Sequence, residues 1–188
     1  LAQALRKKLG NDGFSVALVD ETLRTFCDEN GRTPHRDEQI VLAQTQSRRI
    51  AAAAAGHQLV IADTTALMTA VYSEIVFGDS SLYAEAEAAQ RECDLTLLTA
   101  LDLPWIADGL QRDGEHVREP VDQLVRAALQ RSGVSSSVVA GTGSRRIEAA
   151  LAAIDRAWQL RQQPPHAQKR WQWLCERCGE AGCERHGL

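Results

Sequence analysis

No stretch of this chain is apolar over the roughly 18–20 residues that a membrane-spanning helix needs, so the sequence reads as that of a soluble protein. No leader pattern of a charged start followed by an apolar run is visible either. Basic residues are not in excess: 21 Lys and Arg stand against 25 Asp and Glu, a net charge of −4. That balance disfavours a general nucleic-acid binder. Aromatic residues make up only 5%, so the core is expected to be aliphatic, with Ala-rich helices in close contact. Cysteine is sparse: of five, Cys27 and Cys93 stand alone while Cys175, Cys178 and Cys183 crowd the end. An odd count with one terminal cluster does not look like a secreted disulfide framework and better suits a reducing, cytoplasmic setting.

What is present is an alternation of short apolar runs and longer periodic ones. Leu1, Leu5 and Leu9 fall on one helical stripe, stopped by Gly10-Asn11-Asp12-Gly13. Ser15 to Asp20 reads as a buried strand, and Glu21 to Asn30 as a helix closed by Gly31. Thr33-Pro34 looks like a helix start, with a long helix from Asp37 to Ala55. Leu59 to Thr64 is a second strand, followed by a helix from Thr65 to Phe77 and another from Leu82 to Arg91. Leu95 to Thr99 is a third strand. Pro104 to Arg118 reads as a loop or short helices. Pro120 opens a helix carrying Val121, Leu124, Val125, Ala128 and Leu129 at core spacing. Ser137 to Ala140 is a fourth strand, and a last helix carries Ile147, Leu151, Ile154 and Trp158 before Pro164-Pro165 breaks the chain. Strands that are apolar on both faces and alternate with helices predict an α/β fold around a buried parallel sheet. The expected organisation is one domain over 1–162 and an appendage over 166–188.

In such sheets ligands bind beyond the carboxyl ends of the strands. The residues there are Asp20, Glu21 and Arg24, then Asp63, Thr64 and Thr65, then Asp102, then Gly141, Thr142 and Gly143. Asp63 follows Leu-Val-Ile-Ala, where a carboxylate can serve Mg²⁺ or orient an accepting hydroxyl. Alternatively, Asp63 or Thr64 simply caps the next helix. Glu21 and Arg24 lie three apart, which makes either a surface pair or a carboxylate and guanidinium for a polar ligand. Trp105 to Arg118 places Arg112 and Arg118 in a Gly-hinged polar stretch, either a solvated loop or a lid that brings Arg onto phosphates.

Taken together, Val19 to Arg24, Ile61 to Thr69, Trp105 to Arg112 and Ala140 to Gly143 resemble, in order and spacing, the NadR-type ribosylnicotinamide kinase family of P-loop proteins. The resemblance covers Leu1 to Ile154. It implies a three-layer P-loop kinase-like parallel sheet with helices on both faces, and a Mg·ATP-dependent kinase of a nucleoside-like or other small hydroxylated metabolite. By it Asp63 serves magnesium or the acceptor, and Arg112 and Arg118 are catalytic lid arginines. Glu21, Arg24, Thr64 and Thr65 line the acceptor pocket, and Gly141, Thr142 and Gly143 lie near adenine. The Gly-x-x-x-x-Gly-Lys-Ser/Thr phosphate loop does not occur in these residues. Leu1 to Leu5 looks like the helix that follows it, so either the loop lies upstream or the chain is a degenerate relative, and catalysis requires the loop. Thr65 replaces an expected acid, and Gln111 precedes Arg112 in the lid. The alternative is a P-loop ATPase or nucleotide sensor whose tail binds a protein or RNA.

Cys175-x2-Cys178-x4-Cys183-x2-His186 supplies three thiolates and an imidazole, a closed tetrahedral set for structural Zn²⁺. So short a segment cannot bury a core, so the metal would provide its folding energy. Trp171 and Trp173 suit docking against the domain over 1–162, a protein partner or a second copy better than on nucleic acid, because Glu176, Glu180 and Glu184 offset the nearby arginines.

Overall fold

A computed structural model describes residues 1–105 and 114–162 of the chain. The lid stretch 106–113, with Arg112, and the tail 163–188, with Cys175, Cys178, Cys183 and His186, lie outside the described residues. The chain divides into two compact units, Leu1–Asp155 and Arg156–Leu188. Of the second, residues 156–162 are described, as helix.

The first unit alternates helix and strand. In order it holds α1 (Ala2–Asn11), β1 (Val16–Val19), α2 (Thr22–Asn30), a 3₁₀ turn (Arg36–Glu38), α3 (Gln39–Ala54), β2 (Leu59–Ala62), α4 (Ala66–Phe77) and α5 (Tyr83–Arg91). Then come β3 (Thr96–Thr99), a second 3₁₀ turn (Glu115–Val117), α6 (Arg118–Arg131), β4 (Ser136–Val139) and α7 (Gly143–Gln162). The sequence pattern accounts for most of the ends. Helix α4 stops because Gly78 takes the left-handed conformation at φ +65°; its N–H caps the Glu74 carbonyl, and the Asp79 N–H caps that of Ser73.

Two helix starts differ from expectation. α3 begins at Gln39, preceded by the 3₁₀ turn, not at Thr33-Pro34. The Glu38 carboxylate accepts the Arg32 guanidinium at 2.6 and 2.7 Å and the His35 N–H at 2.7 Å. That network closes the turn later in the chain, while Pro34 favours extended backbone before it. α6 begins at Arg118. Pro120 falls inside its first turn, where a missing N–H has no intrahelical partner to lose.

Strand pairing is parallel throughout, but it forms two pairs where one continuous sheet is expected. β1 pairs with β2, Val16 opposite Leu59 and Val19 opposite Ala62. β3 pairs with β4, Thr96 opposite Ser136 and Thr99 opposite Val139. Among the described residues neither β2 nor β3 has a second ladder.

Helices cover both faces. Leu98 of β3 packs against a cluster from α3, α4, α5 and α6 that includes Ala70, Val71 and Ala128. Its neighbour Leu97 packs against the other cluster, with Leu5 of α1, Val139 of β4 and Ala150 of α7, as does Ile61 of β2. Successive side chains of a strand point to opposite faces, so these two leucines place one layer on each side. Ala70, Ala128 and Ala150 are fully buried, and their small side chains let helices and strands approach closely. Burying a leucine such as Leu67 contributes about 1.5–3 kcal/mol. Among the described residues no helix is long and apolar enough to cross a membrane.

Candidate functional site

At the carboxyl end of the first pair the ladder runs one residue past β2: the Asp63 N–H donates to the Val19 carbonyl at 3.0 Å. Asp63 is thereby held beside the end of β1, with its side chain exposed. No hydrogen bond or ion pair engages that carboxylate among the described residues. The cap of α4 is neither Asp63 nor Thr64 but Thr65, whose hydroxyl oxygen accepts the Leu67 N–H at 3.3 Å. Thr65 also donates to Gln90 at 2.6 Å, and Gln90 donates to Thr96 at 2.9 Å. Across the rim Glu21 and Arg24 do pair, at 3.7 Å, with the glutamate the more buried.

A residue that sequence reasoning missed joins these two strand ends. Gln46 of α3 is 2% exposed. Its oxygen accepts the Thr22 N–H at 2.9 Å and the Thr22 hydroxyl, and its nitrogen donates to the Thr64 carbonyl at 2.9 Å. Arg49, one turn along α3, donates to the Thr22 hydroxyl oxygen at 3.3 Å. The signal was present: Gln46 falls on the stripe of Leu42 and Ala43, a polar residue at core spacing.

The second pair is closed by charge. Asp102, after β3, accepts the Gly141 N–H at 2.6 Å and the Arg146 guanidinium. Arg146 returns a bond to the Gly141 carbonyl at 2.7 Å, and it is 8% exposed. The Gly141 N–H, with the Arg146 charge beside it, holds the Asp102 carboxyl below the usual aspartate range. Gly141 turns at φ +95°, a conformation that favours glycine. Thr142 and Gly143 are exposed beside it. Arg146 also went unseen from sequence. Its signal was an arginine in the first turn of a helix, where the macrodipole disfavours a cation unless an anion compensates it.

Arg118 sits at the foot of the lid stretch and donates to the Leu103 carbonyl at 3.0 Å. Among the described residues no group of three or more His, Cys, Asp or Glu is gathered to hold a metal ion. A concavity of about 370 Å³, lined by Arg36, Asp37, Ile40, Asp79, Ser81 and Leu82, is bordered by none of the strand-end residues above. The structure thus brings Glu21, Arg24, Asp63, Thr64 and Thr65 to the rim of one strand pair, and Gly141, Thr142 and Gly143 to that of the other.

A family model described as an AAA domain matches residues 1–146 of the chain. No curated protein matches it.

Proposed function

Since the chain belongs to the AAA domain family of P-loop nucleotide-binding proteins, we propose that it is an ATP- and Mg²⁺-dependent kinase of a nucleoside-like or other small hydroxylated metabolite, similar to ribosylnicotinamide kinases. The observation that carries this reading is Asp63: a strand-end carboxylate held by its backbone beside β1, exposed, and relieved of any capping role by Thr65.

An uncommitted carboxylate is a hard oxygen donor that fits magnesium, which takes few protein ligands and completes its shell with water and phosphate. When bound, the metal neutralises charge on the phosphate oxygens. Asp63 either orients its hydration shell or accepts a hydrogen bond from the acceptor hydroxyl. Glu21 accepts from further hydroxyls of the substrate, and Arg24 sets the local charge. Thr64 and Thr65 complete that wall. Arg118 and Arg112 serve the phosphates from the lid, and the Gly141 turn receives adenine.

The phosphate loop and its strand, absent from these residues, are proposed to lie upstream. The packing supports this: β2 and β3 rest on one shared cluster yet form no ladder with each other. A fifth parallel strand between them would join the two pairs into one three-layer sheet. The domain is proposed to span 1–162. The appendage over 166–188 would hold structural zinc on Cys175, Cys178, Cys183 and His186, and would dock on protein rather than nucleic acid. A cytoplasmic setting follows from the same reading.

The test is ADP release by the full-length gene product with Mg·ATP and a panel of nucleosides. Release that depends on one acceptor supports the kinase. The family match itself favours a second reading, a P-loop ATPase or nucleotide sensor, which acceptor-independent release would select. Absence of ATP binding would overturn both.

A further inference from the structure

We infer that Gln46 is the positioning residue of the β1/β2 rim. Through one buried amide it sets the spacing of Glu21 and Asp63, and hence their reach toward a common acceptor. This role in transfer rests on the kinase reading above; the clamp itself does not.

A glutamine side chain offers one oxygen with two lone pairs and one nitrogen with two hydrogens. Here the oxygen takes two donors from Thr22 and the nitrogen donates to Thr64. Thr22 opens α2, and its N–H is one of the groups a helix start leaves without an intrahelical partner. Glu21, the capping position, makes no side-chain cap, so Gln46 performs that task from another helix. The Thr64 carbonyl lies beyond the last ladder bond of β2, where the sheet no longer holds the backbone. Both bonds come from a single residue in the body of the 16-residue α3, a rigid base. Arg49 adds a bond to the Thr22 hydroxyl oxygen, which directs that hydroxyl's hydrogen toward Gln46.

An apolar residue would be the ordinary occupant of this stripe. Burying an amide is unfavourable unless its hydrogen bonds are made, and three are made here. Each of the two proposed carboxylates is thus one peptide away from an anchored group: Glu21 before Thr22, Asp63 before Thr64. A displacement of about 1 Å at a reacting centre costs on the order of a hundredfold in rate.

The experiment uses the full-length protein with Gln46→Met, which keeps the shape without the hydrogen bonds, and Gln46→Glu, which keeps the acceptor and lacks the donor. Hydrogen exchange is read over 20–26, 62–67 and 136–146, beside kcat and KM for ATP. Gln46→Met should lose protection over both 20–26 and 62–67, leaving 136–146 as it was. Gln46→Glu should loosen 62–67 alone. In both, kcat should fall by about tenfold or more with KM for ATP nearly unchanged. Uniform loosening, or none, would overturn the clamp. Loosening at both strand ends with unchanged kcat would overturn the positioning role. A wild-type protein without ATP turnover sinks the kinase and this role together, and the exchange pattern still decides whether the clamp exists.

Discussion

The two strand pairs are built alike and closed differently. At the end of β1 and β2 the tie is a neutral amide, Gln46, buried to 2% exposure. At the end of β3 and β4 it is an ion pair, Asp102 with Arg146, that takes in the Gly141 turn. Each pair has an aspartate just past a strand. In the first pair the amide holds the backbone, and the Asp63 carboxylate stays without a partner among the described residues. In the second the carboxylate itself is the tie. A strand-end acid is therefore not a functional signal by its type alone. Whether a buried cation claims it decides what is left for chemistry.

The largest expected difference is in turnover. Asp63→Asn should lower phosphoryl transfer by on the order of 10²–10⁴-fold with an unchanged melting temperature, because no contact among the described residues is lost. Asp102→Asn should do the reverse: a lower melting temperature, since Arg146 loses its anion, with kcat kept and only ATP affinity weakened. Steady-state kinetics beside thermal melts read both, and exchanged phenotypes would break the comparison.

Thr65 tests the link between the pairs. Thr65→Val removes the α4 cap and orphans the buried Gln90 oxygen. The expected cost is about 2 kcal/mol by denaturant melts, and Thr65→Ser should recover most of it. Next in size, Arg146→Met should lower the melting temperature by a few degrees and raise KM for ATP, because the Gly141 turn loses its brace. The rim around Asp63 should be unaffected in kcat.

Acid sharpens the contrast with the smallest effect. The Asp102 carboxyl is held low by the Gly141 N–H and Arg146. A carboxyl depressed in the folded state adds stability that is complete above the ordinary aspartate value of about 3.9. That contribution is lost as pH falls through this value and then through the lower folded one. The Gln46 amide does not titrate. Below about pH 4, hydrogen exchange over 136–146 should therefore quicken before that over 16–22. Simultaneous loosening would mean that the two closures do not differ in kind.

Much of the fold was legible, and for particular reasons. The stripe through Leu5 and Leu9, the stop at Gly78 and the core spacing of Val125, Ala128 and Leu129 are local patterns, and each of these residues lies where the period puts it. The start of α3 was not legible, because the bonds among Arg32, His35 and Glu38 outweigh the Thr-Pro signal. The cap of α4 was read one or two residues early, since Asp63, Thr64 and Thr65 are all capping types and only the geometry assigns the bond. The stripe Ile147, Leu151 and Ile154 is half-buried, while Ala150 and Ala153 sit deepest in α7. Small side chains are the ones that admit the closest packing.

Element type and most element ends follow from the sequence by itself, because hydrophobic period, glycine and capping residues act over a few neighbours. Which strand pairs with which, and which strand-end acid is left without a partner among the described residues, were decided only in the folded structure. The Asp102 ties span 39 and 44 residues, and the Gln46 clamp reaches 24 residues back and 18 forward. Contacts at such separations depend on how whole helices pack, and no local pattern encodes them.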